Sequence, residues 1–241
     1  MKIGFINGNL LKILGAIFMV IDHIGVFLFP NADIFRIIGR LSFPIFSFMI
    51  AEGTKYTRNK TKYFLMLSTL AVACHAVMTF YIPIYRDMSV LVTFSLSIII
   101  IYALQNFKKE LFEGTKEKQF VSLWLLIFIL VLTFIFANHF PVDYGFMGIM
   151  CPVFASIFDF RGINVPKKIR RLDKLYIRVL TMGIAMIVLA CTAMPRQFYS
   201  LLAIPLLLLY SEERGKLNIK YFFYIFYPLH IAVLEGLSVI V

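Results

Sequence analysis

The sequence predicts an all-α polytopic membrane protein: a helix bundle with about nine transmembrane helices, a cytoplasmic N-terminus and an extracytoplasmic C-terminus. Three observations carry this prediction. Hydrophobic residues make up 61% of the 241-residue chain and charged residues only 15%, against roughly 25% charged in an ordinary soluble domain. The apolar runs are continuous rather than alternating, which points to spanning helices and away from a β-barrel. Basic residues gather in alternate loops, as the positive-inside rule requires. This composition excludes a disordered chain, a nucleic-acid-binding domain and a conventional cytosolic enzyme. The net charge of +11 is read as basic loops against a lipid bilayer.

At about 20 residues per span, the length allows roughly eight to ten spans. The apolar runs fall at 9–29, 35–53, 62–82, 88–106, 120–138, 144–160, 175–193, 196–210 and 219–240. The sixth and eighth are short, and either tilt or enter the bilayer only in part. The longest polar segments are 107–119 and 161–174. Neither is long enough to separate domains, so residues 1–241 are expected to form one transmembrane domain. The first run has no small-residue cleavage site, and Asp22-His23 interrupts it, so it reads as a retained span. Cys74, Cys151 and Cys191 lie within apolar runs and have neither disulfide nor metal spacing.

The basic residues then fix sidedness. With the N-terminus inside, twenty of the 24 Lys and Arg residues fall on the cytoplasmic side. The four on the outer side are Arg36, Arg40, Arg86 and Arg196. An even number of spans would spoil this alternation. The expected location is the bacterial cell membrane, multi-pass.

An ionisable residue within a span is costly and is a functional candidate by default. Asp22 and His23 lie in the outer part of the first span. Arg36 and Arg40, at i and i+4, share one face at the start of the second. His75 lies in the third span, His139, Asp143 and Tyr144 in the fifth loop, and His230 near the middle of the last span. All four histidines fall at the midplane or outside it, where they can converge on one polar cavity. Simpler roles stand beside this one. His75 suits a helix–helix hydrogen bond, His139 a solvated loop, and Asp22 a salt bridge to Arg40. No HxxxH or HExxH spacing supports a metal site.

Lys12 and His23 are eleven residues apart, close to three helical turns, so they share a face about 16 Å apart along the axis. That distance is comparable with an extended pantetheine arm. A cation at one end and a base at the other suit a long, phosphate-headed acyl donor such as acetyl-CoA. Lys12 equally suits an interfacial anchor.

Four segments raise the specificity: LKILGAIFMVIDHIG at 11–25, IGRLSFPIFSFMIAEGTKYTRNKTKYFLML at 38–67, DYGFMGI at 143–149, and YSEERG at 210–215 followed by YFFYIFYPLHIAVL at 221–234. Together they resemble the TraX family of membrane acetyltransferases over nearly the whole chain. The plan is also similar to the acyltransferase-3 proteins, which carry a basic residue and then a His on the first helix. The resemblance implies transfer of an acetyl group from cytoplasmic acetyl-CoA to an amine or hydroxyl acceptor at the outer side. A pilin or peptide N-terminus, a cell-surface glycan and a small molecule all fit as acceptor. By motif it points to Asp22, His23, Arg40, Glu52, Asp143, Tyr144, Tyr227 and His230.

The expected catalytic set is therefore His23 as general base, Asp22 setting its tautomer or pKa, Arg40 and Tyr227 as donors to the thioester oxyanion, and His230 as a second base or positioning group. Lys12, Glu52, Lys55, Arg58, Lys62, Lys167, Lys168, Arg170 and Arg171 are expected to hold the coenzyme, and Arg36, Asp143 and Tyr144 the acceptor. An activated thioester needs no metal or redox cofactor. An acetyl-histidine intermediate stays open, as does a homodimer. The rival reading is a proton-coupled small-molecule transporter using the same buried charges. No inverted repeat supports it. A purely structural protein would leave Asp22-His23 unexplained.

Overall fold

The structure is a computed structural model, and it describes residues 4–81, 88–192, 195–217 and 220–238. Lys2 and Arg86 of the charge count, the chain end at 239–241, and the outer ends of the third and seventh predicted spans lie outside the described residues. The regular secondary structure of the described residues is helical, with two isolated bridges, Ile6–Tyr210 and Met88–Val142, and no strands. The helices are α1 (Gly8–Phe27), α2 (Asp33–Gly39), α3 (Ser42–Tyr56), α4 (Lys60–Tyr81), α5 (Val90–Glu113), α6 (Lys116–His139), α7 (Gly145–Ser156), α8 (Lys167–Arg170), α9 (Leu175–Thr192), α10 (Ile204–Leu208) and α11 (Lys220–Ser238).

Among the described residues, five segments are long and apolar enough to cross a membrane: Gly8–Phe27, Asp33–Tyr56, Val90–Glu113, Lys116–His139 and Leu175–Thr192. Gly145–Ser156 and Ile225–Ser238 are shorter apolar helices. The eighth predicted run departs from a single α-helix. Pro195–Ala203 is a 3-10 helix, and α10 then restarts with Pro205 near its N-terminus. Proline has no N–H, and its ring clashes with the carbonyl four residues back. An α-helix continuous through 201–205 is therefore blocked.

The chain forms two compact units: residues 1–49 with 190–241, and residues 50–189. In the first unit, Asn7 caps α1 by accepting from Leu10 N at 3.0 Å. The next donors, Gly8 N and Asn9 N, bond to Glu213 O at 2.7 Å and Arg214 O at 3.0 Å. The SEERG segment thus satisfies the orphan amides at the start of α1. Gly39 allows α2 to lie against α1, since a Cβ there would stand 2.3 Å from Asp22. Small residues at such crossings let helix backbones approach closely.

In the second unit, α5 is the central helix. Ile98, Ile100 and Ile101 are fully buried, and α6 and α7 contribute Leu126, Ile149 and Val153 to the same core. The outer face of α6 carries exposed Phe120, Trp124, Phe128 and Phe134. That face suits contact with lipid.

Candidate functional site

The first unit gathers six of the residues singled out from sequence. On α1, the carboxylate of Asp22 receives two arginines from the next segment. Arg36 Nη1 donates to Oδ2 at 2.7 Å, and Arg40 Nη2 donates to Oδ1 at 3.0 Å and Oδ2 at 3.2 Å. Arg40 also turns its Nε to Arg36 O at 3.3 Å. The two arginines come within reach because they share a helical face, and Gly39 removes the side chain that would hold α2 away. The cluster carries a net positive charge and is largely buried; Arg36 is its more open member.

His23 follows Asp22 but points about 100° round the helix, and it meets α11 rather than the arginines. Its Nδ1 lies 2.9 Å from Met19 O and 3.1 Å from His230 Nε2. On α11, His230 Nδ1 lies 2.9 Å from Phe226 O. A carbonyl oxygen only accepts, so each Nδ1 beside a carbonyl must carry the proton. With both rings neutral, this network assigns the tautomers. His230 donates from Nδ1 to Phe226 O and presents its Nε2 lone pair to His23. His23 donates from Nδ1 to Met19 O and His230. The basic lone pair of His23 is then on Nε2. Asp22 is expected from sequence to set the tautomer or pKa of His23; the Nδ1 contacts go to Met19 O and His230, while the Asp22 carboxylate is directed to the two arginines. Phe226 stacks on His230, with ring centroids 5.0 Å apart, and buried Tyr227 lies 5.8 Å from it edge-on.

Lys12 lies on α1 eleven residues before His23, near the positive charge of Arg214. Arg196, the remaining described arginine of the set expected on the outer side, pairs with Asp33 at 2.9 Å on the surface.

The other expected residues belong to the second unit. Asp143 and Tyr144 lead into α7. Asp143 O accepts from Thr93 Oγ1 at 2.7 Å, and Tyr144 adopts a left-handed backbone at φ 62°. His75 sits half-buried on α4 and His139 exposed at the end of α6, so two of the four histidines form the pair described above. Glu52 is 2% exposed and lies 2.6 Å from Arg178, which is fully buried on α9. Lys55, Arg58 and Lys62 flank the α3–α4 turn, and Lys55 lies over the Tyr56 ring at 5.5 Å. Lys167, Lys168, Arg170 and Arg171 are all exposed around α8. Arg170 also folds its guanidinium back onto Phe160 O at 2.7 Å and onto Ile163 O.

Sequence reasoning missed two buried cations. Arg178 Nε donates to Ala155 O at 3.0 Å, and Lys108 Nζ donates to Ser156 O, Ile157 O and Asp159 O at 2.9, 3.2 and 2.6 Å. Together they satisfy carbonyls at the C-terminal end of α7, where positive charge also suits the helix dipole. Along the chain both sit beside basic segments, so they read as loop charges. An acid such as Glu52 inside an apolar run was the available signal, because it requires a cation on another helix. Among the described residues, no group of three or more His, Cys, Asp and Glu side chains gathers as a metal site would need.

The family model described as TraX protein matches residues 7–238. An uncharacterized protein of Rickettsia prowazekii (strain Madrid E) is 48% identical over 54 residues, covering 22% of this chain. The match spans 21% of that relative's length. No solved structure matches.

Proposed function

Given that this chain belongs to the TraX family, we propose that it is a cell-membrane acetyltransferase. It moves an acetyl group from cytoplasmic acetyl-CoA to an amine or hydroxyl acceptor on the outer side. The proposed topology has nine spans, with the N-terminus inside and the C-terminus outside. The observation that carries the reading is the His23–His230 pair and the tautomers its carbonyl partners impose.

In this reading His23 Nε2 takes the proton from the acceptor nucleophile as it attacks the thioester carbonyl. The new C–N or C–O bond forms, the C–S bond breaks, and the thiolate of CoA leaves. The proton on His23 then passes to that thiolate, so the enzyme ends as it began. While His23 is protonated, its Nδ1–H is held by Met19 O and His230 Nε2. His230 thus orients the base and shares its charge, the task a carboxylate performs in other catalytic triads. Arg40 and Tyr227 stand nearby as donors to the oxyanion. Lys12 and the basic segments with Lys55, Arg58, Lys62, Lys167, Lys168 and Arg171 bind the phosphates of the donor.

The test is transfer from labelled acetyl-CoA by purified protein in liposomes. General bases typically contribute about 10²–10⁴-fold. His23→Gln should lose at least about a hundredfold in rate while folding and binding CoA normally. His75→Gln should leave the rate within a fewfold. Near-normal transfer by well-folded His23→Gln, or no binding of CoA by the unaltered protein, would overturn the reading.

A further inference from the structure

The second unit holds a groove, apart from the histidine pair, that the transfer reaction does not use. It has a volume of about 380 Å³ and runs between α4, α5 and α6, within the range of small-molecule sites. One end is polar. Lys60, Thr61 and Asn106 line it, with Tyr102 beneath the Lys60 ammonium at 5.3 Å. Tyr102 Oη donates to Lys60 O at 3.3 Å, which holds the ring against the first turn of α4. Asn59 caps that turn, accepting from Lys62 N at 2.8 Å. Away from this end the walls become apolar: Phe64 on α4, Ile99 and Ala103 on α5, Leu125 and Ile129 on α6. The described lining contains no carboxylate.

Three features identify the occupant. The polar end presents a cation, hydroxyls and an amide near the positive end of a helix dipole, a set complementary to an anion. The rest of the groove offers only hydrocarbon contact for roughly 10 Å, the rise from Asn106 to Ile99 along α5. The level is also that of a membrane–water interface. α5 and α6 form a hairpin through Gly114-Thr115, so exposed Trp124 on α6 stands about level with Asn106. Trp and Tyr collect where headgroups meet hydrocarbon. Both helices are long and apolar enough to span.

We propose that the α4–α5–α6 groove is a binding site for an anionic phospholipid, with its phosphate at Lys60, Thr61 and Asn106 and one acyl chain along Phe64, Ile99 and Ile129. A pantetheine arm fits the apolar walls less well, because its amides would meet no partner there. On the topology proposed above, the lipid belongs to the cytoplasmic leaflet.

Trp124 is the chain's single tryptophan and stands exposed on α6 next to groove-lining Leu125, so the part of its quenching that changes with the groove variants reports on this site. The full-length protein would be placed in bilayers containing bromine-labelled phosphatidylglycerol or bromine-labelled phosphatidylcholine, and quenching of Trp124 measured. A lysine near a lipid phosphate contributes on the order of a fivefold preference. The anionic lipid should therefore bind about fivefold more tightly than the zwitterionic one. Lys60→Gln should bring the ratio close to one. Lys116→Gln, which removes one charge from the neighbouring turn but not from the groove, should leave it unchanged. Ala103→Leu, which fills the apolar wall, should weaken the quenching by both lipids. Equal quenching by the two lipids in the unaltered protein would overturn the proposal. So would an equal fall in both lysine variants, which would mean a general attraction to the basic surface. Displacement of the brominated lipid by added CoA would assign the groove to the donor instead.

Discussion

The two units handle buried charge in opposite ways. In residues 50–189, Lys108 and Arg178 direct their donors to four backbone carbonyls at the end of α7, and Arg178 also pairs with Glu52. These charges close off a helix end. In the other unit, Asp22, Arg36 and Arg40 bind one another, and beside them stands a histidine whose second ring nitrogen carries a lone pair. Both sets are costly to bury. The difference lies in what remains after pairing. The first set does structural work on the backbone, while the second sets a buried histidine pair beside the ion cluster, which is the pair the proposed transfer reaction uses. A charge within an apolar run is therefore insufficient to mark a site; where its hydrogen bonds end decides between the two roles.

The largest expected effect breaks the structural member of this comparison. Glu52→Ala leaves Arg178 charged and fully buried without its acid, and removing one partner of a buried pair costs about 3–5 kcal/mol. Thermal unfolding in detergent should show a strongly destabilised protein. Glu52→Ala combined with Arg178→Met should recover much of that loss, since a buried pair replaced by apolar groups is often neutral. If Glu52→Ala is as stable as the unaltered chain but fails to bind CoA, Glu52 belongs with the coenzyme as its motif suggested, and the contrast between the units dissolves.

The helical fold was legible because continuous apolar runs and alternating basic loops are one-dimensional signals. Asp22, His23 and His230 were legible because polar residues stand out within apolar runs. Three other features were not. Arg178 follows Lys174 after one helical turn, so along the chain it continues the basic segment; only the packing of α9 places it inside. The 3-10 stretch at 195–203 depends on where two prolines fall relative to a helix that the apolar pattern alone would extend. The partner of His23 was the third. Adjacency in sequence suggested Asp22, yet neighbours on a helix diverge by about 100°, and the ring meets α11 more than 200 positions away.

A smaller effect sharpens the role of His230. If it positions His23 and accepts from its Nδ1–H, a glutamine keeps an acceptor there and a phenylalanine does not. A hydrogen bond to a charged group contributes about 1.5–3 kcal/mol, so His230→Phe should lower kcat by roughly ten- to a hundredfold. His230→Gln should restore most of it, with KM for acetyl-CoA little changed in either. If the two variants fall equally, and as far as His23→Gln, then His230 is itself a base and the relay runs in the other direction.

The smallest effect separates two neighbouring arginines that the sequence treats alike. Both are exposed beside α8, but Arg170 bonds to the carbonyls of Phe160 and Ile163. Phosphate contacts by exposed cations act equally on ground and transition states, so their loss raises KM and leaves kcat alone. Arg171→Ala should therefore raise KM for acetyl-CoA a fewfold, about what one exposed charge pair contributes, with no change in thermal stability. Arg170→Ala should do the reverse: the 160–163 turn loses its donor and unfolds at lower temperature, while KM shifts little. Joint measurement of KM and melting temperature distinguishes the two variants. If both raise KM equally and neither alters melting, Arg170 leaves its carbonyls to meet the coenzyme. The α8 segment would then belong with the residues that do chemistry, alongside His23, rather than with Lys108 and Arg178.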